Sequence, residues 1–169
     1  MTQLTHYNHQ FSSKSFPITV VCDGVTNDNN LGSLFRICDA FGVAKLILCG
    51  TNVTLGRKMT KTSRATEKVV PYDIQSDIND VINTLKTEHH CIIALEITST
   101  SVSIHDFNLP LPLTGPISLI VGHENFGISE EVLAQCDHSV HIPMYGQNSS
   151  MNVVQATNIA IYEFTKQLV

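Results

Sequence analysis

Short apolar runs rich in β-branched residues recur along this chain, each followed by a stretch of helical character, and that alternation limits the fold more than any other feature. The runs are Ile18–Cys22, Lys45–Cys49, Lys68–Tyr72, Cys91–Leu95, Ile117–Val121 and Ser139–Ile142. They are continuous rather than alternating with polar residues, which suits strands of a parallel sheet covered on both faces. Helices are predicted over Leu31–Phe41, part of Thr54–Ser63, Asp77–Thr87, Ser129–Gln135 and Ser150–Leu168. The alternation specifies an α/β domain, a single open and mostly parallel sheet with helices on both faces. In the last helix Val153, Ala156, Ala160, Ile161, Phe164 and Leu168 return at three- and four-residue steps, making one apolar stripe. That stripe can pack on its own sheet or, in part, against a second copy of the chain.

With 169 residues and 43% hydrophobic side chains, the chain can bury one core, which excludes a disulfide scaffold or a disordered tail. Residues 1–16 read as a polar N-terminal extension and residues 17–169 as the domain. The extension has no apolar h-region, and no run approaches the ~18 apolar residues of a membrane span. A soluble cytoplasmic protein with no membrane partner is expected. The five cysteines include no CxxC pair; Cys22, Cys49 and Cys91 lie in apolar runs, where a free thiol packs as a small hydrophobe. His89 and His90 have no third ligand close by in sequence, so no metal is expected.

The net charge is −5, a balance that repels nucleic acid overall. Five of the ten basic residues are nevertheless gathered together: Arg57, Lys58, Lys61, Arg64 and Lys68, opposed only by Glu67. Residues 57, 61, 64 and 68 would share one face if that stretch is helical. Half of the positive charge in one place points to a polyanion partner, RNA in particular.

Three of the predicted strands are followed by polar, glycine-bearing segments, and ligands of open α/β sheets bind beyond the carboxyl ends of strands. The first, DGVTNDNNLGSLFRICDAFG, holds Asn30, Gly32, Arg36 and Gly42; the second, GHENFGIS, holds Gly122, Glu124, Gly127 and Ser129; the third, PMYGQNSSMN, holds Pro143, Gly146, Ser150 and Asn152. None matches a dinucleotide or Walker fingerprint, so NAD and NTP chemistry have no support. Taken singly, each residue has a structural reading. Asn30 would cap the helix before Leu31, Arg36 would be a solvated helix residue, and Glu124 would cap a turn. Ser150 would cap the last helix, with Asn152 in its first turn.

Taken together, NNLGSLFRICDAFG, IVGHENFGIS and IPMYGQNSSMNVVQATNIAIYE resemble the three motifs of the SpoU (TrmH-like) branch of the SPOUT methyltransferases, across residues 18 to 165. The resemblance implies a C-terminal deep trefoil knot, which periodicity alone would not have predicted. It also implies a homodimer, S-adenosylmethionine (SAM) as methyl donor, and methylation of a ribose 2′-hydroxyl in RNA. The donor-binding loops of the family map onto Leu95, Glu96, Gly122, Ile142, Pro143, Met144, Ser150 and Met151. Its motif residues implicated in catalysis map onto Asn30, Arg36, Glu124, Ser150 and Asn152, with Asn30 and Glu124 orienting Arg36. Met151 stands where Leu is commoner, His123 where a small or amide residue is more usual, and KTSRATEK lacks the glycine that often follows its serine. The resemblance favours tRNA as substrate, with rRNA as the alternative. An inert SAM- or RNA-binding module of the same fold is the competing reading.

Overall fold

Five of the six apolar runs form the middle of one seven-stranded sheet. The structure is a computed structural model and describes residues 12–51 and 53–169. In chain order the elements are β1 (Phe16–Asp23), α1 (Asp28–Ala40), β2 (Val43–Cys49), α2 (Arg57–Ser63), a 3-10 turn (Thr66–Lys68), β3 (Tyr72–Gln75), α3 (Ile78–Thr87), β4 (Cys91–Leu95), β5 (Val102–Ser103), β6 (Ile117–Val121), α4 (Glu130–Leu133), β7 (His138–His141) and α5 (Val153–Gln167). The strands lie in the order β3-β2-β1-β6-β4-β7-β5, and every pair of neighbours is parallel.

The two-residue period of a strand divides the core between the faces. Ile18, Val20 and Cys22 of β1, Leu119 and Val121 of β6 and Ile93 of β4 join Leu31, Leu34, Phe35 and Cys38 of α1, Met59 of α2, and Ala160, Ile161 and Phe164 of α5. On the other face Val21, Ile47, Ile92, Ala94 and Ile120 meet Val81, Ile82 and Leu85 of α3 and Val132 of α4. A polar pair sits within the sheet: Ser118 Oγ lies 2.7 Å from His90 Nδ1.

The apolar stripe of α5 is used by the chain's own sheet, with Ala160, Ile161 and Phe164 fully buried. Turned outward is Tyr162, edge-on to Phe41 at 6.4 Å. Among the described residues no helix is long and apolar enough to cross a membrane. The first eleven positions of the expected N-terminal extension lie outside the described residues, and Phe16, its last, already opens β1.

Several expectations are corrected. The strand predicted over Lys68–Tyr72 is a 3-10 turn and a connection, with β3 beginning at Tyr72. Val69 and Val70 mimic a strand, yet Val69 is 68% exposed and only Val70 is buried. Pro71, which has no N–H to give a ladder, offers only its carbonyl, to the Leu46 N–H. The single helical face expected for residues 57, 61, 64 and 68 does not form, because α2 stops at Ser63 and both Arg64 (φ 54°) and Ala65 (φ 70°) are left-handed. The cap of α1 is Asn27, whose Oδ1 accepts the Asn29 and Asn30 N–H groups, rather than Asn30 itself. Asn152, not Ser150, caps α5.

One glycine sets how closely α2 approaches α1. A Cβ on Gly32 would stand 2.6 Å from the Met59 carbonyl oxygen, 2.7 Å from Thr62 Cβ and 2.9 Å from Ser63 N. Alanine in an open helix interior is better than glycine by ~0.5–1 kcal/mol, but here overpacking reverses the sign. Gly32→Ala is expected to destabilise the fold by about 1–3 kcal/mol, lowering Tm by several degrees in a thermal melt.

Candidate active site

Parallel register brings the three motif segments to one end of the sheet. Cys22 of β1 lies opposite Val121 of β6, so the chain leaving β1 and the chain leaving β6 emerge side by side. The β6 loop then closes on itself: His123 and Gly127 exchange backbone hydrogen bonds of 3.1 and 2.8 Å. Gly122 is pressed against the Gly127 carbonyl and the Ile128 nitrogen, leaving no room for a Cβ.

Three polar side chains from distant parts of the sequence meet here. Asn30 Nδ2 donates to Glu124 Oε1 at 2.9 Å, and Asn152 Nδ2 donates to Asn30 Oδ1 at 3.2 Å. Asn152 Oδ1 in turn accepts the Val154 N–H at 2.9 Å, which fixes its amide. Both ends of the Asn30 amide are therefore used, and Glu124 Oε2 has no partner among the described residues.

Beside this chain of bonds lies a pocket of about 790 Å³, within the ~300–1,000 Å³ of small-molecule clefts. Seven of the eight residues expected to bind the donor line it: Leu95, Glu96, Gly122, Ile142, Met144, Ser150 and Met151; Pro143 lies between two lining residues without lining it. Of the motif residues assigned to catalysis, Glu124, Ser150 and Asn152 line the pocket, and Asn30 reaches it through its two hydrogen bonds. Arg36 does not line it. It is exposed, and among the described residues it has no hydrogen-bond or ion-pair partner, so the expected contact with Glu124 is absent within the chain. The reason is helical geometry: six residues carry it about 240° around α1 and about 9 Å along from Asn30.

Glu96 has a structural task that its mapped role did not suggest. Its Oε1 accepts the Ile97 N–H at 2.9 Å and its Oε2 the Ile128 N–H at 3.1 Å, tying the loop after β4 to the loop after β6. His123 is held within its own loop. Its Nδ1 accepts the Asn125 N–H at 3.0 Å. Burial pushes the Asp23 carboxyl above its ordinary value, with His123 opposing the shift and Asp77 adding to it. Burial likewise raises the thiols of Cys22, Cys38 and Cys49, the last two to about 12, so these cysteines stay protonated and inert.

The basic residues lie on and just beyond α2, which touches the start of α1. Arg57, Lys58, Lys61, Arg64 and Lys68 are all exposed, and none has an acidic partner among the described residues. Glu67, expected to oppose them, instead accepts the Ser63 hydroxyl. Thr62 Oγ1 of α2 donates to Asn29 Oδ1 at 3.3 Å, next to Asn30.

Fold and site together define an α/β protein whose small-molecule pocket is built from loops at the carboxyl ends of parallel strands. The particular family follows from comparison with known proteins: the model of the SpoU rRNA Methylase family matches residues 17–162, and the chain belongs to that family. The 23S rRNA (guanosine-2′-O-)-methyltransferase RlmB of Haemophilus ducreyi is 30% identical over 161 residues, 95% of this chain and 64% of that protein. The chain thus spans less than two thirds of the length of curated relatives that it matches. Among solved structures, the TrmH/SpoU tRNA modifying enzyme of A. aeolicus superposes with a TM-score of 0.80 at 28% identity, over 92% of this chain and 77% of that one. The SpoU methyltransferase AviRb of Streptomyces viridochromogenes, solved with its cofactor AdoMet, gives 0.79 at 25% identity over 93% and 62%.

The Glu96 brace is open to a direct test. Hydrogen bonds to a charged group contribute about 1.5–3 kcal/mol, so Glu96→Ala is expected to lose that order of stability in denaturant unfolding. Glu96→Gln should recover little, because its NH₂ confronts one of two backbone N–H donors.

Proposed function

We propose that this chain methylates a ribose 2′-hydroxyl of RNA, with SAM as the methyl donor. The observation that carries the reading is the Glu124–Asn30–Asn152 chain of hydrogen bonds at the pocket rim. An inert binding module has no use for three motif side chains held in mutual register. The pocket suits the donor chemically as well as in size. Glu96, Glu124 and Glu130 line it, and no Lys or Arg does among the described residues, which favours a sulfonium cation. AviRb, a relative in structure, was solved with this cofactor. Leu95, Gly122, Ile142, Met144 and Met151 would form its walls, with Pro143 and Ser150 on the loop that closes over it. Bound there, SAM supplies a methyl group on positively charged sulfur for in-line displacement by an oxygen.

The chain's own residues do the positioning and the charge stabilisation. A guanidinium is a planar cation with no lone pair to take a proton, so the part of Arg36 is to stabilise negative charge developing on the 2′-oxygen or to clamp an adjacent phosphate. Glu124, with Oε2 available, is suited to hold a guanidinium in plane. Since α1 turns Arg36 away from its own Asn30, the reading takes Arg36 from a second copy, in a homodimer. The outward Phe41–Tyr162 pair offers an aromatic surface for that contact. The reading includes the C-terminal knot that the resemblance to the SpoU branch implies. Among RNA classes, rRNA becomes the first choice and tRNA the second, because the curated relatives are named for 23S rRNA.

Tritiated methyl transfer from SAM to purified rRNA and tRNA tests the activity and the RNA class together. Arg36→Ala is expected to lose about 10²–10³-fold in turnover with SAM affinity unchanged by calorimetry; turnover within a few-fold of the parent removes Arg36 from the mechanism. Mixing Arg36→Ala chains with Glu124→Ala chains should restore part of the activity if two copies build each site.

The left-handed Arg64 gives an independent test of the basic cluster. Glycine accepts φ 54° without steric cost, so Arg64→Gly is expected to leave thermal stability level or slightly raised. RNA binding should weaken, with a salt slope shallower by about 0.7–0.9, the share of one phosphate contact.

A further inference from the structure

The most exposed large apolar side chain lining the pocket is aromatic and lies in the second motif segment, where no role has been mapped onto it. Phe126 is 84% exposed. Its ring sits 4.8 Å from that of His123 at an interplanar angle of 39°. Leaving so large an apolar ring in water is unfavourable, yet the surroundings hold it there. His123 is fixed by the Asn125 N–H on its Nδ1 and by its backbone bonds to Gly127. Phe126 therefore stands on a braced support, in the same closed loop as Glu124 and two residues from it.

We propose that Phe126, seated on His123, is a stacking platform for an unpaired nucleobase next to the nucleotide being methylated, an inference that rests on the chain acting on RNA. The neighbours of the ring decide between classes of partner. Glu124 and Asn125 adjoin it in the chain and Glu130 lines the same pocket, so the ring stands beside polar and acidic residues rather than at the centre of a broad apolar patch for a protein. An isolated flat ring suits one face of one base, and bases offer free faces only where RNA is unpaired. The contacts leading away from the platform are those an RNA backbone would follow. Glu124 reaches Asn30, and Asn29 beside it reaches Thr62 on the helix that carries Arg57, Lys58 and Lys61. A second aromatic, Tyr145, is 90% exposed beside the pocket-lining Met144, and Gly146 after it lies in open space.

The test uses the full chain with RNA hairpins whose loops carry the fluorescent base 2-aminopurine, and with a fully paired duplex of the same composition. Phe126→Ala and Phe126→Leu are expected to weaken hairpin binding about ten-fold, equivalent to about 1.4 kcal/mol, whereas Phe126→Tyr stays near the parent because it keeps the π-face. Duplex affinity and SAM affinity should be the same in all four proteins, and stacking should quench 2-aminopurine in the parent and Tyr forms only. Parental hairpin binding by Phe126→Leu overturns the platform. So does a fall in SAM affinity, which would make the ring a cofactor contact, or a changed sedimentation coefficient, which would make it a contact between copies. Any of these with methyl transfer intact overturns the platform alone. Failure of the parent chain to bind any RNA overturns both it and the proposed function. The expected binding pattern without methyl transfer sustains the platform and overturns only the enzymatic reading.

Discussion

Everything at this site turns on one side-chain amide. An asparagine can give and take at once, and Asn30 gives to Glu124 while taking from Asn152. It thereby joins the start of α1, the loop after β6 and the cap of α5, segments 94 and 122 positions apart in sequence. The junction depends on register laid down earlier in the fold. With Cys22 beside Val121 in neighbouring parallel strands, the two following loops have nowhere else to go. Asn27, by taking two backbone N–H groups at the first turn, stops that turn from fraying and holds Asn30 in place.

What could be read in advance follows burial. β1, β2, β4 and β6 are apolar along nearly their whole length because both faces are covered, and the sequence shows them as unbroken runs. The edge strands leave no such mark. β3 is mostly exposed and β5 is two residues long, so the Val69–Val70 pair drew the prediction to the wrong place. Caps were misplaced for a different reason. Apolar periodicity in α1 begins at Leu31, whereas the helix begins a turn earlier in a purely polar stretch, where three asparagines compete for the cap position. The motif residues were legible as a set, but not their partners: no spacing rule tells that Asn30 meets Glu124, or that Arg36 points elsewhere. Glu96 shows the limit well, since the position was legible and its use as a brace between two loops was not.

Charge is divided rather than balanced. The chain carries −5 overall, its pocket wall holds three glutamates, and half of its cations stand on and just beyond α2. Mixed together, these groups would neutralise one another and favour neither a cation nor a polyanion. The separator is α1, which touches Glu124 through Asn30 at its start and packs α2 against Gly32. A helix with its side chains is about 10 Å across, close to the ~8 Å Debye length at physiological salt. Across such a width salt weakens the coupling between exposed charges on the two sides. The missing side chain of Gly32 therefore has an electrostatic consequence as well as a steric one. It brings the basic strip to the edge of the site, near enough to hold a phosphate backbone beside the pocket, while the bulk of α1 keeps those cations out of the pocket itself.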